Sequence, residues 1–131
     1  MVRIFLVEDN AMIRAHLRAA LEEPQGWQVV GEAEDGQRAV DQWCNHAPNL
    51  TVMDFVMPRM DGLEAARELS QKHPESPILM VTIDPSLQLQ EEAKKAGIKG
   101  LIQKADLRCL VQAAETLLGG GTYFRQGVAA A

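Results

Sequence analysis

Cysteine is scarce in this chain, with only Cys44 and Cys109 among 131 residues. They lie far apart, on segments that read as helices, with no metal-ligand partner nearby. That excludes a disulfide framework and a thiolate metal centre, and both are expected as reduced, partly buried thiols. His16, His46 and His73 are scattered without ligand spacing and are expected at or near the surface. Positive charge is also in deficit, with 13 Lys and Arg against 18 Asp and Glu and a net charge of -5. This segment is therefore a poor direct partner for nucleic acid. No apolar run approaches the length that spans a bilayer. The opening Met1–Val7 is too short for a signal peptide and runs into acids, so a cytoplasmic protein with no membrane contact is expected. There are no internal repeats, and the length suits one domain with a complete core.

What is present is a fivefold alternation of strand and helix patterns. Such alternation predicts an α/β fold, a parallel sheet covered on both faces. Strands are expected at 3–8, 27–33, 50–54, 78–82 and 100–104. The first, third and fourth are near-continuous apolar runs of the fully buried type, and the mixed second suits a sheet edge. Helices are expected at 11–23, 37–46, 63–73, 86–96 and 106–118. Asn10 is placed as the cap of the first, with Met12, Ile13, His16, Leu17, Ala20 and Leu21 on its inner face. In the third, Leu63, Ala66, Arg67 and Leu69 share the buried face. Pro85 opens the fourth, Gly97 closes it as a left-handed cap, and Asp106 caps the fifth.

The chemistry gathers at strand ends. Glu8 and Asp9 follow the first apolar run, Asp54 ends the third, Thr82 the fourth and Lys104 the fifth. In open α/β sheets ligands bind at the carboxyl ends of the strands. A carboxylate there serves as a nucleophile or a metal ligand. Clustered acids raise one another's pKa unless a cation intervenes, and magnesium takes one or two carboxylates with water and phosphate oxygens. Lys104 suits a phosphoryl oxygen and Thr82 can donate to another, leaving Asp54 as the nucleophile. The set reads as a phosphoryl-transfer site.

Val7-Glu8-Asp9, Met53-Asp54 with Pro58 and Gly62 downstream, Val81-Thr82 and Lys104 together resemble the receiver domain of a bacterial two-component response regulator. The resemblance covers residues 2–124. It implies a doubly wound, flavodoxin-like fold, with five parallel strands in the order 2-1-3-4-5 flanked by five helices. It implies that Asp54 is the phosphoacceptor, taking its phosphoryl group from a sensor histidine kinase. Thr82 and Lys104 would then close on that group. Magnesium would be held by Asp9, Asp54 and the backbone carbonyl of Val56, with Glu8 acting mostly through water. Val29–Ala33 with Asp35-Gly36, Lys104-Ala105-Asp106 and Gly121–Phe124 look like the LuxR/NarL-type transcription regulators. Members of that subgroup carry a DNA-binding helix-turn-helix after a linker. Residues 1–121 are accordingly assigned to the phosphoacceptor domain, and 122–131 to a tail or truncated linker. DNA would be reached only through a helix-turn-helix domain that these residues do not contain. The receiver's own output face, 86–118, would bind a partner or a second copy of itself.

Three positions depart from the family pattern. Ile83 stands where a very small residue is usual after the switch hydroxyl, and is expected to narrow access to Asp54. Leu101 replaces the aromatic three residues before the Lys. Ala105 replaces a proline joined by a cis bond, and a cis Lys104–Ala105 bond is the expectation despite a cost of about 3 kcal/mol. Two other readings remain on the table. One is a stand-alone or atypical receiver that works as a phosphate-independent interaction module. The other is a phosphatase-like enzyme, disfavoured because Val56 stands where a general acid is needed. The only turnover expected is loss of the phosphoryl group from Asp54 itself.

Overall fold

The computed structural model describes residues 1–57 and 60–124. Pro58 and the tail Arg125–Ala131 lie outside the described residues. The strands are β1 (Val2–Val7), β2 (Trp27–Ala33), β3 (Leu50–Asp54), β4 (Ile78–Thr82) and β5 (Gly100–Gln103). All pair in parallel, in the order β2-β1-β3-β4-β5. Between them run α1 (Ala11–Leu21), α2 (Gly36–His46), α3 (Gly62–Lys72) and α4 (Leu87–Lys95). A short 3-10 turn at Leu107–Cys109 leads into α5 (Leu110–Leu118).

Side chains alternate across a strand, and here both sides are apolar. Phe5, Val7, Met53, Met80 and Leu101 form one core with Trp43, Ala65, Ala66, Leu69, Leu89 and Ala93 of α2, α3 and α4. Ile4, Leu6, Leu50, Val52, Leu79, Val81 and Ile102 form the other with Leu17 and Leu21 of α1 and Leu110, Ala113, Ala114 and Leu117 of α5. Every residue of β3 and β4 is buried. That double coverage is why these strands read as unbroken apolar runs rather than as alternating ones.

Four helices begin on a side-chain cap. Asn10, Asp35, Asp61 and Ser86 accept hydrogen bonds from the backbone N–H of Ile13, Arg38, Glu64 and Leu89. Each such cap is worth about 1 kcal/mol. Gly97 has φ 91° and closes α4 as expected.

Several details correct the sequence reading. Ser86 is the cap of α4, so Pro85 lies outside the helix. Asp106 makes no cap bond to the backbone. Its carboxylate accepts from Arg108 Nε at 3.2 Å and Cys109 Sγ at 3.6 Å instead, and the 3-10 turn separates it from α5. Met12, His16 and Arg67 are exposed, as is Cys44. The Lys104–Ala105 bond is trans, since no cis peptide occurs among the described residues. Without a proline ring the trans form keeps its full preference.

Candidate functional site

The carboxyl ends of β1, β3, β4 and β5 bring Glu8, Asp9, Asp54, Thr82 and Lys104 to one cleft of about 590 Å³. The ends are stitched together by backbone. Glu8 N–H donates to Ala33 O at 3.0 Å, Phe55 N–H to Val81 O at 3.1 Å, and Lys104 N–H to Thr82 O at 2.6 Å. After Asp54 the chain turns back, and Gly62 N–H donates to Phe55 O at 2.8 Å. A larger groove of about 840 Å³, bordered by Trp43, Pro48, Glu75 and Lys99, lies elsewhere and contains none of these five residues.

Lys104 Nζ stands 3.1 Å from Asp54 Oδ2, a hydrogen bond, and 3.0 Å from Glu8 Oε1. The second contact is an ion pair whose angles fall outside good hydrogen-bond alignment. Glu8 Oε1 is buried and has no hydrogen-bond partner in alignment. The other oxygen of Glu8 accepts from the Asn10 N–H at 3.1 Å. Glu8, Asp54 and Thr82 are buried, whereas Asp9 is exposed.

Burial sets the titration of the cluster. It pushes Glu8 up to about 7, against the Asn10 N–H and Lys104, which favour its anion. Burial also raises Asp54, helped by the charge of Asp9 and opposed by Lys104 and a backbone hydrogen bond from Val56. For Lys104 burial acts downward, but its contacts with Glu8 and Asp54 together outweigh it, and the ammonium is held more firmly than usual. One cation thus serves two buried acids, and a third acid stands beside them.

Carboxylate oxygens of Glu8, Asp9 and Asp54 all lie within 4.8 Å of one another. A set of hard oxygen donors this close, with one buried oxygen lacking an aligned partner, fits a small divalent cation such as magnesium. The structure therefore brings together all five side chains singled out from the sequence. Val56, expected to lend its carbonyl, adjoins the cleft with its side chain exposed.

Sequence reasoning missed Arg14. Its Nη1 donates to the Glu8 backbone carbonyl at 2.8 Å while its Nε pairs with Glu32 Oε1 at 2.7 Å. It ties the end of β1 to the edge strand. The available signal was a basic residue one helical turn beyond the cap Asn10, pointing back toward the strand ends.

A family model described as the response regulator receiver domain matches residues 4–115. The chain is 41% identical over 102 residues to the transcriptional regulatory protein PdtaR of Mycobacterium tuberculosis, covering 78% of this chain and 49% of that one. It is 34% identical over 131 residues to the response regulator UvrY of Escherichia coli K12, covering 98% and 60%. It spans about half to three-fifths of the length of these curated relatives. A solved LuxR-family two-component response regulator from Aurantimonas sp. SI85-9A1 superposes with a TM-score of 0.92 at 32% identity, covering 98% of this chain and 92% of that one. The receiver domain of a regulator titled NarL, from Mycobacterium tuberculosis, superposes with a TM-score of 0.85 at 27% identity, over 91% and 97%. With strand order, strand-end chemistry and relatives in agreement, the chain belongs to the response regulator receiver domain family, within its LuxR/NarL subgroup.

Proposed function

We propose that Asp54 is the phosphoacceptor of this receiver, with Thr82 and Lys104 as the groups that respond to it. Receiver domains of this family are signalling switches activated by phosphorylation, and they bind magnesium at an acidic pocket. The observation that carries the residue assignment is the Lys104 ammonium shared between Asp54 and Glu8 at 3.1 and 3.0 Å. It favours the Asp54 anion against the pull of burial and holds a cation where phosphoryl oxygens would arrive.

In this reading an Asp54 carboxylate oxygen attacks the phosphorus of a phosphohistidine on a sensor kinase. A P–O bond forms, the P–N bond breaks, and the imidazole leaves with the electron pair and takes up a proton. Lys104 shifts from the carboxylate to a phosphoryl oxygen, and the Thr82 hydroxyl donates to another. Glu8, Asp9, Asp54 and the Val56 carbonyl would hold magnesium, which supplies positive charge against the phosphoryl oxygens.

The names of the relatives support a role in transcription regulation. DNA contact would fall to a helix-turn-helix domain outside these residues, since net charge -5 suits this segment poorly to nucleic acid. A partner, or a second copy of the chain, would read the α4–β5–α5 face. No helix among the described residues is long and apolar enough to cross a membrane, in keeping with a cytoplasmic setting.

The deciding experiment incubates the chain with magnesium and a small acyl phosphate, then weighs it intact beside Asp54→Ala. One phosphoryl mass, gained by the parent and absent from the variant, is the expected result. An equal gain in both would move the acceptor away from Asp54.

A further inference from the structure

We propose that Thr122–Phe124 is a strap whose docking on β5 is coupled to the state of the Asp54 site, so that the strap passes that state along the chain. The inference rests on the reading of Asp54 as phosphoacceptor. Residues past α5 do not simply leave the domain. Tyr123 N–H donates to Lys99 O and Leu101 N–H donates to Tyr123 O, both at 2.9 Å, and Tyr123 forms a parallel bridge with Gly100. The strap is thus a rudimentary sixth strand on the outer edge of β5, an edge that is otherwise open to pairing. Its two aromatic side chains straddle the sheet. Tyr123 packs against the core shared with α1 and α5, and Phe124 against the core shared with α2, α3 and α4.

The connection to the site runs along β5 and β4. Lys104, which holds Asp54 and Glu8, directly follows β5. Three residues further back, Leu101 donates its N–H to the Tyr123 carbonyl. Leu101 and Met80 belong to the core that Phe124 covers, and Thr82 follows Met80 on the same face of β4. When Lys104 and Thr82 move onto a phosphoryl group, the end of β5 and the packing around Leu101 must adjust.

There is room for that adjustment. A cavity of about 300 Å³ is lined by Leu101, Ile102, Gln103, Asp106, Tyr123 and Phe124, among others. Leu101 brings no ring to this face. The ring there is that of Phe124, half-buried, with Lys94 Nζ of α4 placed 5.0 Å from its centroid. A shift of Leu101 into the cavity removes the support of Phe124 and slackens the Tyr123 pairing. Phosphorylation therefore loosens the strap. Because coupling is reciprocal, a loosened strap favours occupancy of the site.

The test uses the 131-residue chain with magnesium, with and without beryllofluoride, and follows amide hydrogen exchange by NMR. With beryllofluoride bound, the Leu101 and Tyr123 amides are expected to exchange at least tenfold faster, while those of Leu6 and Val52 in the sheet centre do not. Fluorine resonances of the bound ion report occupancy independently. Bound beryllofluoride with the two amides equally or better protected overturns the strap alone. No bound beryllofluoride at all overturns the reading of the site, and the strap with it.

A second measurement guards against a merely structural effect. Phe124→Ala is expected to tighten beryllofluoride binding several-fold with magnesium affinity unchanged, and Phe124→Leu less so. A variant that only loosened the fold would weaken binding, and that result also overturns the coupling.

Discussion

Gly62, the first residue of α3, lies against the main chain of Asp54. A Cβ built on Gly62 would stand 2.2 Å from the Asp54 carbonyl oxygen and 2.9 Å from the Cα of Phe55. The obstacle is backbone, so it cannot swing aside. In an exposed helix, alanine in place of glycine would gain about 1 kcal/mol. Overpacking against a rigid neighbour costs about 1–3 kcal/mol, so here the clash wins. Gly62→Ala is expected to lower stability by roughly 1–2 kcal/mol and to slow phosphorylation of Asp54 by displacing its strand end. Urea unfolding and the phosphorylation time course check both, and an unaltered rate would show that Asp54 tolerates the shift.

Much of this arrangement was legible in the sequence, because strands β3 and β4 are buried on both faces and end where polar chemistry begins. The acids, hydroxyl and lysine announce the cleft by position alone. The errors have local causes. A helical period places Met12, His16 and Arg67 at the margins of an apolar stripe, and only packing decides that α1 and α3 leave them in solvent. Asp106 carries a cap's side chain, yet Arg108 and Cys109 compete for it and a 3-10 turn intervenes. The tie from Arg14 to the Glu8 carbonyl, and the return of Tyr123 to Gly100, join residues whose proximity no local pattern encodes.

Ile83 lies at the mouth of the cleft with 73% of its surface exposed, and Val56 beside it is 65% exposed. Neither side chain belongs to the core, and the expectation that Ile83 narrows access to Asp54 is tested by shortening it. Ile83→Ala is expected to leave stability within about 0.5 kcal/mol. Both phosphorylation by small acyl phosphates and loss of the phosphoryl group should speed up several-fold. Rates no faster than the parent's would remove Ile83 from the control of access.

Thr51 and Trp43 offer a contrast between stability and function. Trp43 Nε1 donates to Thr51 Oγ1 at 3.1 Å, with both residues buried, and the His73 ring stacks on the indole at 3.8 Å. Valine matches threonine in shape but orphans the indole N–H, at a cost of about 1–3 kcal/mol. Thr51→Val should unfold at lower urea concentration yet accept the same phosphoryl mass, because the pair lies away from the cleft. A large fall in phosphorylation of the folded variant would tie this cluster to the site.

Glu8 gives the site its pH dependence. Its carboxyl titrates near 7 in the folded chain against an ordinary 4.5, so the folded state binds that proton more tightly than the unfolded state does. The stabilising contribution is then complete below about 4.5 and is lost as pH rises through 7. Asp54, also raised by burial, acts in the same direction. In chelator the parent should therefore lose stability between pH 4.5 and 7.5. Glu8→Gln, which mimics the protonated acid, should flatten that slope and be the more stable of the two at pH 7.5, by something on the order of 1–3 kcal/mol. Magnesium should recover the lost stability in the parent at pH 7.5 and do less for the variant, whose donor set has one charge fewer. Urea unfolding across this range, with and without magnesium, separates the alternatives. A parent that gained stability as pH rose would mean that Lys104 keeps Glu8 ionised throughout, and that the buried acid is a permanent partner of the lysine rather than a group waiting for a cation.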